Sequence, residues 1–115
     1  MRVLIVDDEA FIGDLFRDIC EMGEAFCDVA RSCSEARRLL AGEGYDMIFV
    51  DYSLAEEDGI TFIKEVRNAG TDTEAYLMSG WPESHFDAGD LTLFKKVLHK
   101  PFNVRDILDI LQNHG

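Results

Sequence analysis

Proline is almost absent, with two residues in 115, so no Pro-rich linker divides the chain. Cysteine is sparse and odd in number. Cys20, Cys27 and Cys33 lack any Cys-x-x-Cys spacing, which argues against a disulfide framework and against a zinc site. They read as buried or half-buried free thiols of a cytoplasmic protein. Long apolar runs are missing too: stretches such as Val3-Leu4-Ile5-Val6 fall far short of the ~20 residues that span a bilayer. The opening residues Met1 to Asp8 run straight into acids, without the apolar core of a secretory leader. Basic residues are the last shortage, 11 Lys and Arg against 23 Asp and Glu, for a net charge of −12. That field repels phosphate backbones and anionic lipid, so direct nucleic-acid or membrane binding is not expected. Divalent cations and basic protein surfaces fit it better.

What is present is a soluble globule's balance, 47% hydrophobic and 30% charged. The length suits one domain, and no internal repeat or low-complexity stretch interrupts it. Short aliphatic runs alternate with helically spaced ones. Val3 to Val6 reads as a strand covered on both faces. Ile12, Leu15, Phe16 and Ile19 follow at helical spacing, with Gly23 as the stop. Phe26 to Ala30 is a second strand, and Ser34 reads as the N-cap of a helix burying Ala36, Leu39 and Leu40. Met47 to Val50 is a third strand ending in Asp51, and a helix from about Asp58 buries Phe62, Ile63 and Val66. Ala75 to Met78 is a fourth strand, ending in Ser79-Gly80. From Trp81 to Lys96 the pattern is poor: Pro82 could open a short helix, which Gly89 and Asp90 would interrupt. Val97 to His99 is the fifth strand, before Lys100-Pro101. Asn103 caps a last helix with Val104, Ile107, Leu108 and Leu111 on one face. This order predicts an α/β fold with a parallel sheet and helices on both faces.

In such sheets ligands sit beyond the carboxyl ends of the strands. The residues expected there are Asp7 and Asp8, Asp51, Ser79 and Lys100. Three carboxylates gathered closely raise one another's pKa unless a cation neutralises them. A few oxygen ligands with room for water describe Mg²⁺ better than zinc or calcium. Asp51, ending the central strand before an acidic loop, is the candidate nucleophile toward phosphorus. Lys100 and the Ser79 hydroxyl would stabilise the phosphoryl oxygens. Each has a plainer reading alone, a helix cap for Asp7-Asp8 or a turn for Ser79-Gly80 and Lys100-Pro101. Their joint position at four strand ends favours the site.

These residues resemble the receiver domain of two-component response regulators, over the whole chain. Val6-Asp7-Asp8-Glu9 matches the acidic pair after the first strand, and Tyr45 to Asp51 matches the approach to the phosphorylated aspartate. Asp58-Gly59, Ser79-Gly80 and Lys100-Pro101-Phe102 match the remaining motifs in order and spacing. The resemblance implies a flavodoxin-like (βα)5 doubly wound fold with strand order 2-1-3-4-5, one receiver domain over 1–115 and no output domain. It implies that Asp51 takes a phosphoryl group from a sensor histidine kinase or a histidine phosphotransfer protein, and that the switch regulates a downstream protein. It also implies Mg²⁺ held by Asp8, Asp51 and the Ser53 carbonyl, with Asp7 acting through water, and a cis Lys100-Pro101 bond. Such a domain is no enzyme beyond its own phosphorylation and dephosphorylation.

Three places depart from the family. Leu54 and Ala55 replace Met-Pro after Asp51, Val97 replaces the aromatic residue that usually reports the Ser/Thr movement, and Trp81 to Lys96 lacks the usual small-residue-rich helix. Tyr76 and Phe94 are candidate substitutes for that aromatic, though core packing suits both. Phe11 and Leu15 flank the expected kinase contact, and Phe102 and Ile110 could serve a weak dimer of an otherwise monomeric protein. His85, His99 and His114 show no ligand spacing, and Trp81 stands near the expected pocket mouth. Two other classes compete. A haloacid-dehalogenase-type phosphatase would require Asp-x-Asp where Asp7-Asp8 stands. A receiver-like module that binds proteins without phosphorylation is the main alternative.

Overall fold

The computed structural model describes residues 1–42 and 44–113, so His114 lies outside the described residues. Five strands are present: β1 (Arg2–Val6), β2 (Phe26–Ala30), β3 (Met47–Asp51), β4 (Glu74–Ser79) and β5 (Lys96–His99). They form one parallel sheet in the order β2-β1-β3-β4-β5. The helices between them are α1 (Ala10–Met22), α2 (Cys33–Gly42), α3 (Gly59–Asn68), α4 (Ala88–Leu91) and α5 (Val104–Gln112). This is the flavodoxin-like (βα)5 arrangement.

Each strand carries two apolar rows because both faces of the sheet are covered. Val3, Ile5, Met47, Phe49, Tyr76 and Met78 face one way, onto Ile12, Phe16 and Ile19 of α1 and Ile107 and Leu111 of α5. Leu4, Val6, Ile48, Val50, Ala75 and Leu77 face the other way, onto Ala36 of α2 and Phe62, Ile63 and Val66 of α3. On the first face the rings form a row: Phe16 lies 5.0 Å from Phe49, which stacks at 4.8 Å on Tyr76. Phe102 adds an edge-on contact to Phe16 at 5.8 Å, so it packs on α1 instead of standing free. Tyr76 and Phe94 are both core residues.

Three local expectations are corrected. Helix α2 begins at Cys33, and the Ser32 hydroxyl accepts from the Glu35 N–H at 3.1 Å, so Ser34 lies within the first turn. Gly89 and Asp90 do not interrupt a helix but lie inside α4. There the Asp87 carboxylate accepts from both of their N–H groups and overrides the poor helix propensity of glycine. Val104 is exposed, while Ile107 and Leu111 carry the buried stripe of α5.

Candidate functional site

The register brings the acids together. Val6 pairs with Val50, so Asp7 and Asp51 leave the sheet side by side at the carboxyl ends of β1 and β3. Asp51 pairs in turn with Met78, and Ser79 with His99, which puts Ser79 and Lys100 at the same edge. The Lys100 N–H donates to the Ser79 carbonyl at 2.7 Å, tying the last two strand ends to each other. The Lys100-Pro101 bond is cis.

Neither aspartate of the acidic pair caps α1. That position falls to Glu9, which makes no side-chain capping bond, and the Glu9 N–H donates instead to Asp7 Oδ1 at 2.9 Å. Asp7 is fully buried, and its Oδ2 accepts from Lys100 Nζ at 2.9 Å. The same ammonium lies 3.4 Å from Asp51 Oδ2 and 3.5 Å from Glu9 Oε1. Asp8 is exposed, yet one oxygen each from Asp7, Asp8 and Asp51 falls within 4.8 Å of the others. Glu9 was visible in the sequence only as the residue after the pair; its reach to Lys100 depends on the turn.

Electrostatics at this edge are strained by burial. Burial pushes the Asp51 carboxyl up to about 6, the Asp7 charge adds to the rise, and Lys100 only partly opposes both. Asp7 is also raised, again chiefly by burial, against the Glu9 N–H and Lys100. Burial disfavours the Lys100 charge, but the Asp7 hydrogen bond and the surrounding carboxylates more than compensate and raise it. The Lys100 ammonium therefore faces two buried acids, Asp7 and Asp51, and the exposed Glu9, while Asp8 adds a further carboxylate to the group. Three converging carboxylates short of positive charge are a donor set that a hard divalent cation suits, with Asp7, Asp8 and Asp51 able to hold it.

The other expected residues take specific places. The Ser53 backbone N–H faces the Asp51 carboxylate and works against the rise in its pKa, so the loop after β3 lies beside the site. Gly59 is pressed against that strand end; a Cβ there would sit 2.4 Å from the Asp51 carbonyl oxygen. The Ser79 hydroxyl is buried and engaged with its own loop, accepting from the Trp81 N–H at 2.8 Å and donating to the Trp81 carbonyl at 3.2 Å. Trp81 stacks on His85 at 4.4 Å, and His85 meets Tyr52 and Phe86 edge-on. An apolar groove beside the site runs between α1 and the turn after β5, lined by Phe11, Ile12, Leu15, Pro101 and Phe102 with Glu9 and Lys100 at its polar end. Phe11 is 72% exposed there, and Leu15 is half-buried.

The chain is 32% identical to the hydrogenase transcriptional regulatory protein HoxA of Bradyrhizobium diazoefficiens over 83 residues, covering 71% of this chain and 17% of that one. Against the chemotaxis protein CheY of Bacillus subtilis the identity is 25% over 112 residues, covering 96% and 93%. The receiver domain (CheY-like) structure from Methylobacillus flagellatus superimposes with a TM-score of 0.90 at 25% identity, covering 100% of this chain and 98% of that one. The chain spans about half or less of the first curated relatives it matches. Residues 3–112 match the model of the response regulator receiver domain, and the chain belongs to that family, the receiver domains of two-component systems.

Proposed function

We propose that Asp51 accepts a phosphoryl group from a phosphohistidine on a sensor histidine kinase or a histidine phosphotransfer protein. The observation that carries this reading is a buried carboxylate at the tip of the central strand, 3.4 Å from the Lys100 ammonium and flanked by Asp7 and Asp8. In the transfer the donor's N–P bond breaks, a P–O bond forms to Asp51, and the imidazole nitrogen keeps the electron pair and takes up a proton. Lys100, held between Asp7 and Asp51, balances charge on the phosphoryl oxygens. Ser79 donates its hydroxyl hydrogen to one of those oxygens once it turns from Trp81. Bound by Asp8, Asp51 and the Ser53 carbonyl, with Asp7 reached through water, Mg²⁺ would supply charge neutralisation at the reacting oxygens.

In this reading residues 1–115 act as one receiver unit in the cytoplasm, monomeric or weakly dimeric, catalysing only their own aspartyl phosphorylation and its hydrolysis. Phosphorylation then regulates a downstream protein. The test is intact mass after incubation with Mg²⁺ and acetyl phosphate or phosphoramidate. Wild type gains one base-labile phosphoryl group and Asp51→Asn gains none. A wild type that binds Mg²⁺ but forms no adduct would instead be a phosphorylation-independent binding module.

A further inference from the structure

The loop from Tyr52 to Asp58 carries Ser53 and contains no proline. Its two ends are closed on each other by the Gly59 N–H, which donates to the Tyr52 carbonyl at 2.9 Å. Its middle is held from elsewhere. The exposed Glu56 carboxylate accepts from the Cys33 N–H at 2.9 Å, from the Ser34 N–H at 3.4 Å and from the Ser34 hydroxyl at 2.7 Å. These are first-turn N–H groups of α2 that have no partner within their own helix. The positive end of the helix dipole favours a carboxylate there. Glu56 is thus a cap supplied across 22 residues of sequence, and Ser34 holds its carboxyl below the usual range. The anchor is firm, since Cys33 and Ala36 of α2 are fully buried. Glu57 makes a second link, to Arg37, which also bonds Glu65 on α3 at 2.8 Å. That half-buried ion pair between long side chains constrains the backbone less than a carboxylate bonded to two backbone N–H groups.

We propose that Glu56 is a positioning residue for the metal site: by capping α2 it fixes the loop that bears Ser53, and so sets how tightly the site holds Mg²⁺. This rests on the reading of Asp8, Asp51 and Ser53 as the Mg²⁺ ligands. Few residues separate Asp51 from Glu56, so anchoring both ends leaves Ser53 little freedom. The cap does here what a proline would do by restricting the backbone.

Calorimetric titration with Mg²⁺ alone tests it, on wild type, Glu56→Ala, Glu56→Gln and Ser34→Ala. Glu56→Ala raises the Mg²⁺ Kd about tenfold, the order expected when a group supporting a ligand is lost. Glu56→Gln stays near wild type, because its amide oxygen accepts the same two N–H bonds and its NH₂ donates to the Ser34 hydroxyl. Ser34→Ala, which keeps both backbone bonds, raises Kd by a smaller factor and serves if Glu56→Ala does not fold. An unchanged Kd in the Ala variants beside a lowered melting temperature would overturn the proposal, leaving the cap merely structural. A loss in Glu56→Gln equal to that in Glu56→Ala would also overturn it, by assigning the effect to charge. If wild type itself binds no Mg²⁺, the site reading fails and this inference with it; if wild type binds and Asp51→Asn does not, the site reading stands whatever Glu56 does.

Discussion

At Asp51 burial and nearby charge act against ionisation, and this gives the residue a measurable pH signature. Its carboxyl titrates at about 6 in the fold against 3.8 as a free side chain. Between those values the native state holds a proton that the unfolded chain has released, so this group's contribution to stability falls as pH rises. With Mg²⁺ chelated, wild type should therefore lose stability relative to Asp51→Asn between pH 4 and pH 6.5, and added Mg²⁺ should remove the difference. Urea midpoints of the two proteins across that range check it; a difference independent of pH would contradict it. Gly59 is the second sensitive position. A methyl group there meets the Asp51 carbonyl oxygen at 2.4 Å, a backbone atom that cannot move without shifting the strand end. Gly59→Ala should cost about 3 kcal/mol in denaturant unfolding and weaken Mg²⁺ binding as well. A substitution neutral in both would show that α3 can slide away from β3.

At the scale of the elements, the turn after β4 is where the proposed switch would start. Val97 occupies the place of the usual reporting aromatic, and Ser79 is bonded twice to the backbone of Trp81. Turning the hydroxyl toward a phosphoryl group breaks both bonds and releases a loop whose indole stacks on His85. Beryllium fluoride with Mg²⁺ should therefore change the emission of Trp81, the lone tryptophan, in wild type but not in Ser79→Ala. An equal change in both would place the movement elsewhere. Strands such as Val3 to Val6 and Met47 to Val50 were legible because covering both faces makes them continuously apolar. Helix α1 was legible because Ile12, Phe16 and Ile19 keep strict spacing up to Gly23. The start of α2 was not. Ser32 and Ser34 are equally good local caps, and Glu56 in a distant loop occupies the N–H groups of Cys33 and Ser34. Helix α4 was hidden by Gly89, whose low propensity the Asp87 cap offsets. Within the site, Asp7, Asp8, Asp51, Ser79 and Lys100 could be found as strand-end residues. The reach of Glu9 to Lys100, the Ser79–Trp81 bonds and the Glu56 cap could not, since each depends on how separate turns meet.

For the molecule as a whole, a radius of gyration of 12.9 Å is what a single folded body of this length has. It carries −12 on that small volume. Repulsion among surface acids opposes the compact state, and salt shortens its range from ~30 Å at 0.01 M to ~8 Å at 0.15 M. In chelator the melting temperature should rise over that salt range. A fall would mean that ion pairs such as Lys64–Asp90 outweigh the net field. A field of that sign favours cations, and among the described residues buried carboxylates converge at the edge formed by Asp7 and Asp51. The chemistry of that edge can be mapped to a single residue. After incubation with acetyl phosphate and Mg²⁺, borohydride reduces an aspartyl phosphate to homoserine, which peptide mass spectrometry locates. Conversion confined to residue 51 and dependent on Mg²⁺ is the predicted result; conversion at residue 7 or 8 with residue 51 untouched would contradict it.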